Sequence, residues 1–124
     1  MKVNEVLEYL GQNYPGKEVI MLPPDDPTEI LCETEPSAEH SEYSVAIAAI
    51  KRSALHRHAV TTETYEIIDG QLDLYIDGEK VTLGPEDVCT IIPGETHYAV
   101  SDFALAKVTS HPGWTPEDHI LIEE

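Results

Sequence analysis

The chain has 124 residues, a length that corresponds to one compact domain. Seven Lys and Arg residues against 24 Asp and Glu residues give a net charge of −17. This charge argues against binding to nucleic-acid phosphates or to an anionic membrane surface. With 41% hydrophobic and 25% charged residues, the composition is typical of a folded globular protein and not of a disordered acidic tail.

The first predicted element is a short amphipathic helix. Val3, Val6, Leu7 and Leu10 are spaced at i, i+3, i+4 and i+7, and Gly11 is expected to follow the last helical turn. Charged residues interrupt the apolar positions of this segment, unlike those of a secretory signal, and no apolar run approaches the roughly 18 residues of a membrane span. A cytoplasmic location is therefore expected.

An acidic region follows. From Asp25 to Tyr43 there are seven carboxylates and no Lys or Arg, which predicts a solvated loop with one short strand near residues 30–32, in preference to an interaction tail. Residues 1–43 are therefore expected to form a helix, a strand and an acidic loop packed on a barrel. Cys32 and Cys89 form no C-x-x-C pair and are expected to be half-buried small hydrophobic residues.

From residue 44 onward the sequence changes to short β-type runs. Residues 44–50 are apolar enough for a buried strand, and the dipeptides Asp69-Gly70 and Asp77-Gly78 predict tight hairpin turns. Further runs occur at 88–92, 98–100 and 103–109. Many short strands with turn signals about every eight to twelve residues are typical of an all-β sandwich or barrel. Residues 44–110 are expected to form this core, and residues 111–124 a C-terminal tail of the same domain.

Histidines and a glutamate are concentrated in two short motifs. His56 and His58 flank Arg57, so that on a strand both imidazoles lie on one face, roughly 6.6–7 Å apart. Alone, such a pair is a weak signal, since two ordinary histidines are commoner. Glu63 follows His58 by five residues, and His97 follows a Pro-Gly turn. Three imidazoles and one carboxylate suit a divalent ion such as Fe, Mn, Zn, Ni or Co, in an octahedral shell with two open positions or in a closed tetrahedral shell.

This spacing resembles the two motifs of the cupin superfamily, G-x5-H-x-H-x3,4-E-x6-G and G-x5-P-x-G-x2-H-x3-N. The matching residues are His56, His58, Glu63, Gly70, Gly94 and His97, with Pro93 one place later than the proline of the pattern. The chain departs from the motifs at four positions, where Gly, Gly, Pro and Asn are replaced by Ile50, Glu86, Ile92 and Ser101. In the motifs these positions serve turns and packing.

The resemblance implies a single-domain jelly-roll β-barrel with a short N-terminal helix and a C-terminal tail. It implies that His56, His58, Glu63 and His97 bind one divalent metal ion per chain. It also implies a homodimer, with the N-terminal strands as the partner surface.

Strand parity suggests which other side chains share the metal cavity. Tyr65 lies two residues after Glu63, so both side chains point to the same face of the strand. Tyr65 then either donates a hydrogen bond or a proton in the metal cavity or packs as an aromatic residue in the barrel. Arg52 points inward if no bulge intervenes before residue 53, and would then clamp a carboxylate or phosphate; otherwise it is exposed, as most arginines are. Glu95, in the turn before His97, is expected near the metal end, where it could meet a substrate or move a proton.

The tail contains a predicted helix start and several aromatic residues. Thr115 followed by Pro116 and two acids has the pattern of a helix N-terminus. Trp114 is expected to anchor the tail against the barrel; in the alternative, Trp114 or His111 forms a lid at the barrel mouth. His119, beside the acids, is expected at the surface and not as a ligand.

The main functional hypothesis is a metal-dependent enzyme that acts on a small organic molecule. A redox-silent ion acting as a Lewis acid would support isomerase, lyase or decarboxylase chemistry, whereas ferrous iron would support a dioxygenase. The alternative is a non-catalytic protein that binds or senses a small molecule or a metal.

Overall fold

The computed structural model describes residues 1–123 and contains, within them, one helix, ten strands and one 3₁₀ turn. In chain order the elements are α1 (Val3–Asn13), β1 (Glu18–Leu22), β2 (Glu29–Glu35), β3 (Ser44–Arg52), β4 (His56–Arg57), β5 (Thr62–Gly70), β6 (Leu72–Ile76), β7 (Glu79–Leu83), β8 (Val88–Ile91), β9 (His97–His111), the 3₁₀ turn (Pro116–Asp118) and β10 (Ile120–Leu121). The strands form one curled sheet around an apolar core, which confirms the predicted all-β jelly-roll barrel.

The long strand β9 organises the barrel. It pairs with β3 and β4 along one edge and with β5 and β6 along the other. Because β5 and β6 follow one another along the same edge, they do not pair, and the hairpin predicted at Asp69-Gly70 is wrong. The hairpin predicted at Asp77-Gly78 is confirmed, since it joins the antiparallel strands β6 and β7.

Gly70 lies where β5 gives way to β6, with a φ of +80°, and a Cβ added there would clash with the backbone of Phe103. We therefore expect Gly70→Ala to lower the free energy of unfolding by about 2–4 kcal/mol, from backbone strain plus overpacking. Gly78 has a φ of +85° but open space around its Cβ position, so Gly78→Ala should cost only the strain, about 1 kcal/mol. Urea unfolding measures both losses, and equal losses would contradict this account.

Strand β3 is buried on both faces, as its apolar sequence predicts. Ala48 and Ile50 contribute to the apolar cluster inside the barrel. Ile47 and Ala49 contribute to a second cluster between the sheet and α1. This strand therefore links the barrel interior to the N-terminal layer.

The helix α1 covers that second cluster with Val6 and Leu10. It continues to Asn13, so Gly11 lies inside the helix and not after its end as predicted. None of the helices among the described residues is long and apolar enough to cross a membrane. Both cysteines are free thiols, one buried and one half-buried.

Strand β2 is longer than the short strand predicted near residues 30–32. Ile30 and Cys32 are fully buried on the helix side. Since side chains alternate along a strand, Leu31, Glu33 and the first residue of β2 face the opposite side, where a cavity enters the barrel.

Candidate metal centre

Four side chains from separate segments converge at one end of the barrel. His56 begins β4, His58 lies in the loop after it, Glu63 belongs to β5 and His97 begins β9. His97 is fully buried, and the other three are 2–5% exposed. One ligand atom from each residue lies within 4.8 Å of all the others. The structure therefore brings together all four residues that the cupin resemblance assigns to a metal.

Backbone carbonyl groups orient the three imidazoles. The distances from Nδ1 to the carbonyl oxygen are 2.7 Å (His56 to Ala54), 2.8 Å (His58 to Asp118) and 3.3 Å (His97 to Glu95). Since a carbonyl oxygen can only accept, each Nδ1 carries a proton in this arrangement and donates it. Each Nε2 then directs its lone pair to the centre of the cluster, as in histidines that bind a divalent metal.

The carboxylate of Glu63 lies among these lone pairs. Its Oε1 is 3.1 Å from Nε2 of His97 and 3.2 Å from Nε2 of His58. Lone pairs at these distances repel one another unless a proton or a metal ion lies between them. Nε2 of His58 is buried and forms no hydrogen bond within residues 1–123. The donor set and this unpartnered nitrogen therefore fit a metal ion.

The pKa values of Glu63 and His56 agree with a metal-binding donor set. Burial alone would raise the pKa of Glu63, but the imidazoles of His58 and His97 hold it well below its usual range. Burial and the neighbouring His97 lower the pKa of His56 to about 3, so this ring is neutral at physiological pH. Burial also acts to lower the pKa of His58, but Glu63 outweighs it and raises that pKa. Glu63 is therefore ionised and His56 neutral, the forms in which these two residues bind a divalent ion.

Asp118 ties the C-terminal segment to the loop that carries His58. Its carboxylate accepts hydrogen bonds from the backbone N–H groups of Ala59, Val60 and Thr61 at 2.8–3.3 Å. Burial alone would raise its pKa, but these hydrogen bonds lower it. The helix predicted after Thr115 is a single 3₁₀ turn, Pro116–Asp118. Sequence reasoning missed the role of Asp118, because the contact with His58 spans 60 residues.

We expect Asp118→Ala to lower the free energy of unfolding by about 1–3 kcal/mol, because three backbone N–H groups, of which that of Thr61 is buried, lose their acceptor. The substitution should also weaken metal binding about 10- to 100-fold, because the carbonyl group that orients His58 is no longer held in place. Urea unfolding and a metal titration measure the two effects. Glu117→Ala, at the exposed neighbouring position, is the control. Parent-like stability of Asp118→Ala would contradict the assignment.

His119 is half-buried, so its predicted surface position is wrong. Its ring stacks on His56 with centroids 4.3 Å apart, and the ring of Trp114 meets it edge-on at 5.9 Å. The backbone N–H of Trp114 donates to Ser44 Oγ, and its carbonyl group accepts from Ser37 Oγ. Trp114 thus anchors the tail, as the first interpretation predicts, and the residue lines the cavities at this end of the barrel.

Two adjoining cavities lead from the four-residue cluster to the surface. The walls of the inner cavity include Glu29, Glu33, His56, Glu63, Tyr65, Trp114 and His119. The outer cavity shares Leu22, Glu29, His56, Trp114 and His119 with the inner one and adds Arg52. Tyr65 is 4% exposed, and burial raises the pKa of its hydroxyl well above the ordinary value, so it stays protonated at physiological pH.

Arg52 does not take the position predicted for it, and Glu95 lies near the metal end as predicted but without its carboxylate in the cavity. The pairing of β3 with β9 shifts between Ile50 and Arg52, and the arginine is exposed and borders the outer cavity but not the inner one. The predicted inward clamp is therefore not formed. Oε1 of Glu95 accepts a hydrogen bond from the N–H of Ile92 at 2.9 Å, and Glu95 lines neither cavity. Its carbonyl group, instead of its carboxylate, serves the site by orienting His97.

Glu29 is a cavity residue that the sequence placed only in an acidic region. Burial, and then the charge of Glu63, raise its pKa to about 7. The alternation of acidic and apolar residues along β2 is the sequence signal that could have identified it, because such alternation places the acids on one face.

The raised pKa of Glu29 predicts a pH dependence of stability. Between its unfolded pKa near 4.5 and its folded pKa near 7, the folded protein binds more protons than the unfolded chain, so stability falls as pH rises through this window. In EDTA, Glu29→Gln should therefore be more stable than the parent at pH 8, by about 1–3 kcal/mol, and similar to it at pH 4. Urea unfolding at the two pH values tests this, with exposed Glu79→Gln as the control. No difference at pH 8 would refute it.

Fold and site together define a jelly-roll barrel with a buried cluster of three histidines and one glutamate. The chain belongs to the cupin family, since the model of the cupin domain matches residues 44–119. This confirms the resemblance inferred from the sequence motifs. No curated protein sequence matches the chain.

Solved structures support the same fold at low sequence identity. Pac13 from Streptomyces, a nucleoside dehydratase, superposes with a TM-score of 0.72 at 19% identity, covering 90% of this chain and 91% of its own. KdgF from Halomonas sp. superposes with a TM-score of 0.66 at 13% sequence identity, covering 81% of this chain and 89% of its own. Ectoine synthase from P. lautus superposes with a TM-score of 0.62 at 16% sequence identity, covering 71% of this chain and 67% of its own.

Proposed function

We propose that the protein is a metal-dependent enzyme that acts on a small organic molecule in the inner cavity. The observation that carries this proposal is the convergence of three inward Nε2 atoms and one ionised carboxylate, of which His56 and Glu63 line the inner cavity. His56, His58, Glu63 and His97 would hold the ion. When bound, a redox-silent ion supplies Lewis-acid chemistry and ferrous iron supplies oxygen chemistry.

The protein's own residues would then bind the substrate and move protons. Tyr65 is a buried hydroxyl group that stays protonated, so it can donate a hydrogen bond or a proton at the cavity wall. Glu29, with a pKa of about 7, can hold or release a proton near neutral pH. Trp114 and His119 line both cavities from the C-terminal segment, where they would limit the access of water.

Two cupin structures that resemble this chain support a catalytic role, because their names describe a dehydratase and a synthase. Uridine is present in a related structure of the first, so a barrel of this shape can enclose a small organic ligand. At 16–19% identity these proteins share the fold, and neither substrate is transferred to this chain.

A metabolite screen tests the proposal. The metal-loaded parent and the His97→Ala variant are each incubated with a small-molecule extract, and mass spectrometry records which compounds are consumed. We expect at least one compound to be consumed by the parent and not by the variant. A compound that is bound in the parent but never converted would instead support the alternative, a non-catalytic binding protein.

A further inference from the structure

The inner cavity has an acidic wall outside the candidate metal cluster. Glu29 and Glu33 face the cavity from β2, with Leu31 between them. No Lys or Arg lines the inner cavity in the part of the chain that is described. Neither carboxylate takes part in an ion pair among residues 1–123. The negative charge on this wall therefore has no positive partner within the protein.

Both carboxyl groups have lost part of their hydration. Burial is the main cause that raises the pKa of each, and a second carboxylate adds to it, Glu63 for Glu29 and Glu18 for Glu33. A carboxylate removed from water costs free energy unless a cation or a hydrogen-bond donor compensates it. A positively charged ligand would supply that compensation.

Two aromatic residues on the same cavity add separate features of a ligand site. The indole ring of Trp114 offers the side-chain face that attracts organic cations most strongly. Tyr65 is a polar side chain more than nine-tenths buried, and its hydroxyl forms none of the side-chain hydrogen bonds found within residues 1–123. Leu31 and Val108 supply apolar surface between these polar groups. The cavity thus combines anionic, aromatic and apolar walls.

We propose that the inner cavity binds a small organic amine in its ammonium form, with the nitrogen at Glu29 and the hydrocarbon part against Leu31 and Trp114. This inference rests on the proposed function and names the substrate class of the same site. It replaces the anionic ligand expected from an inward Arg52, since that arginine is exposed and lies outside the inner cavity.

The chain contains one tryptophan, so one indole N–H signal in a proton–nitrogen NMR spectrum reports on the cavity. Three probes of matched shape and different charge are titrated at physiological salt: isobutylammonium, isobutanol and isobutyrate. The titrations use the parent protein as purified and again after treatment with EDTA, which removes direct coordination of a probe by a metal. Glu29→Gln is the test variant, Glu33→Gln is a second one, and exposed Glu79→Gln is the matched control.

We expect isobutylammonium to shift the Trp114 signal with a Kd at least about tenfold below that of isobutanol, and isobutyrate to bind more weakly than either after EDTA treatment. Glu29→Gln should raise the Kd for isobutylammonium about tenfold or more and leave that for isobutanol unchanged, whereas Glu79→Gln should behave as the parent. Equal affinities for the three probes, a preference for isobutyrate after EDTA, or unchanged ammonium binding in both cavity variants would overturn the inference.

Metal analysis of the same samples separates this inference from the proposed function. Ammonium selectivity in a chain that retains no metal would support the amine site while the metal-enzyme proposal fails. Retained metal together with a preference for isobutyrate after EDTA would overturn the amine site and leave the metal-enzyme proposal standing.

Discussion

Addition of Zn²⁺, Mn²⁺ or Co²⁺ to the metal-free protein is expected to raise the midpoint of thermal unfolding by about 10 °C or more. An ion that binds the folded cluster but not the unfolded chain stabilises by about 4 kcal/mol at a concentration a thousandfold above its Kd. In a domain of this size, each kcal/mol corresponds to roughly 3–5 °C. Differential scanning fluorimetry with and without each ion measures the shift.

The metal-induced shift should disappear when one ligand is removed. His97→Ala leaves two imidazoles and a carboxylate, and Glu63→Gln replaces the only anionic ligand with an amide of the same shape. Because each substitution also changes the metal-free protein, the relevant quantity is the difference between the midpoints with and without metal. His111→Ala removes an exposed histidine outside the cluster and should keep the parent's shift. A full shift in His97→Ala would mean that the ion binds elsewhere.

Replacement of Tyr65 by Phe is expected to reduce turnover of the substrate found in the metabolite screen by about 10²- to 10⁴-fold, the range for loss of a general acid. The substitution removes one oxygen atom from a buried ring and keeps the ring's packing among the barrel residues. Metal content and the thermal midpoint should therefore match those of the parent. Steady-state kinetics, elemental analysis and thermal unfolding together measure the three quantities.

Tyr75→Phe serves as the matched control, because Tyr75 is a half-buried tyrosine that stacks on Tyr98 and lines neither cavity. Full turnover in Tyr65→Phe would assign Tyr65 to packing alone, the second interpretation that the sequence allows. Reduced turnover accompanied by loss of metal would instead indicate that the hydroxyl supports the cluster.

The four candidate ligands could be predicted from the sequence because they lie in two short motifs of fixed spacing. His56, His58 and Glu63 fall within eight residues, and His97 follows its own turn. In such segments the local backbone decides where a side chain points. The barrel itself was predictable for a related reason, since each short alternating run predicts one strand, and each turn dipeptide one turn, from neighbouring residues alone.

The wrong predictions depend on how distant segments pair. The pairing of β3 with β9 shifts register between Ile50 and Arg52 and leaves the arginine exposed, which strand parity alone cannot reveal. The turn at Asp69-Gly70 joins strands that both pair with β9, whereas a dipeptide pattern describes only its immediate neighbours. His119 reaches His56 because Asp118 fastens the tail to the loop after β4, and this contact crosses half of the chain.

Elemental analysis of untagged protein, purified without chelators and without air, tests the proposed metal site most directly. The account predicts about one equivalent of a divalent transition metal per chain, and almost none in the His97→Ala variant purified in parallel. Iron in the parent would direct the search towards oxygen chemistry, and Mn, Zn, Ni or Co towards Lewis-acid chemistry. A parent that retains no metal, even after reloading with each of these ions, would contradict the account.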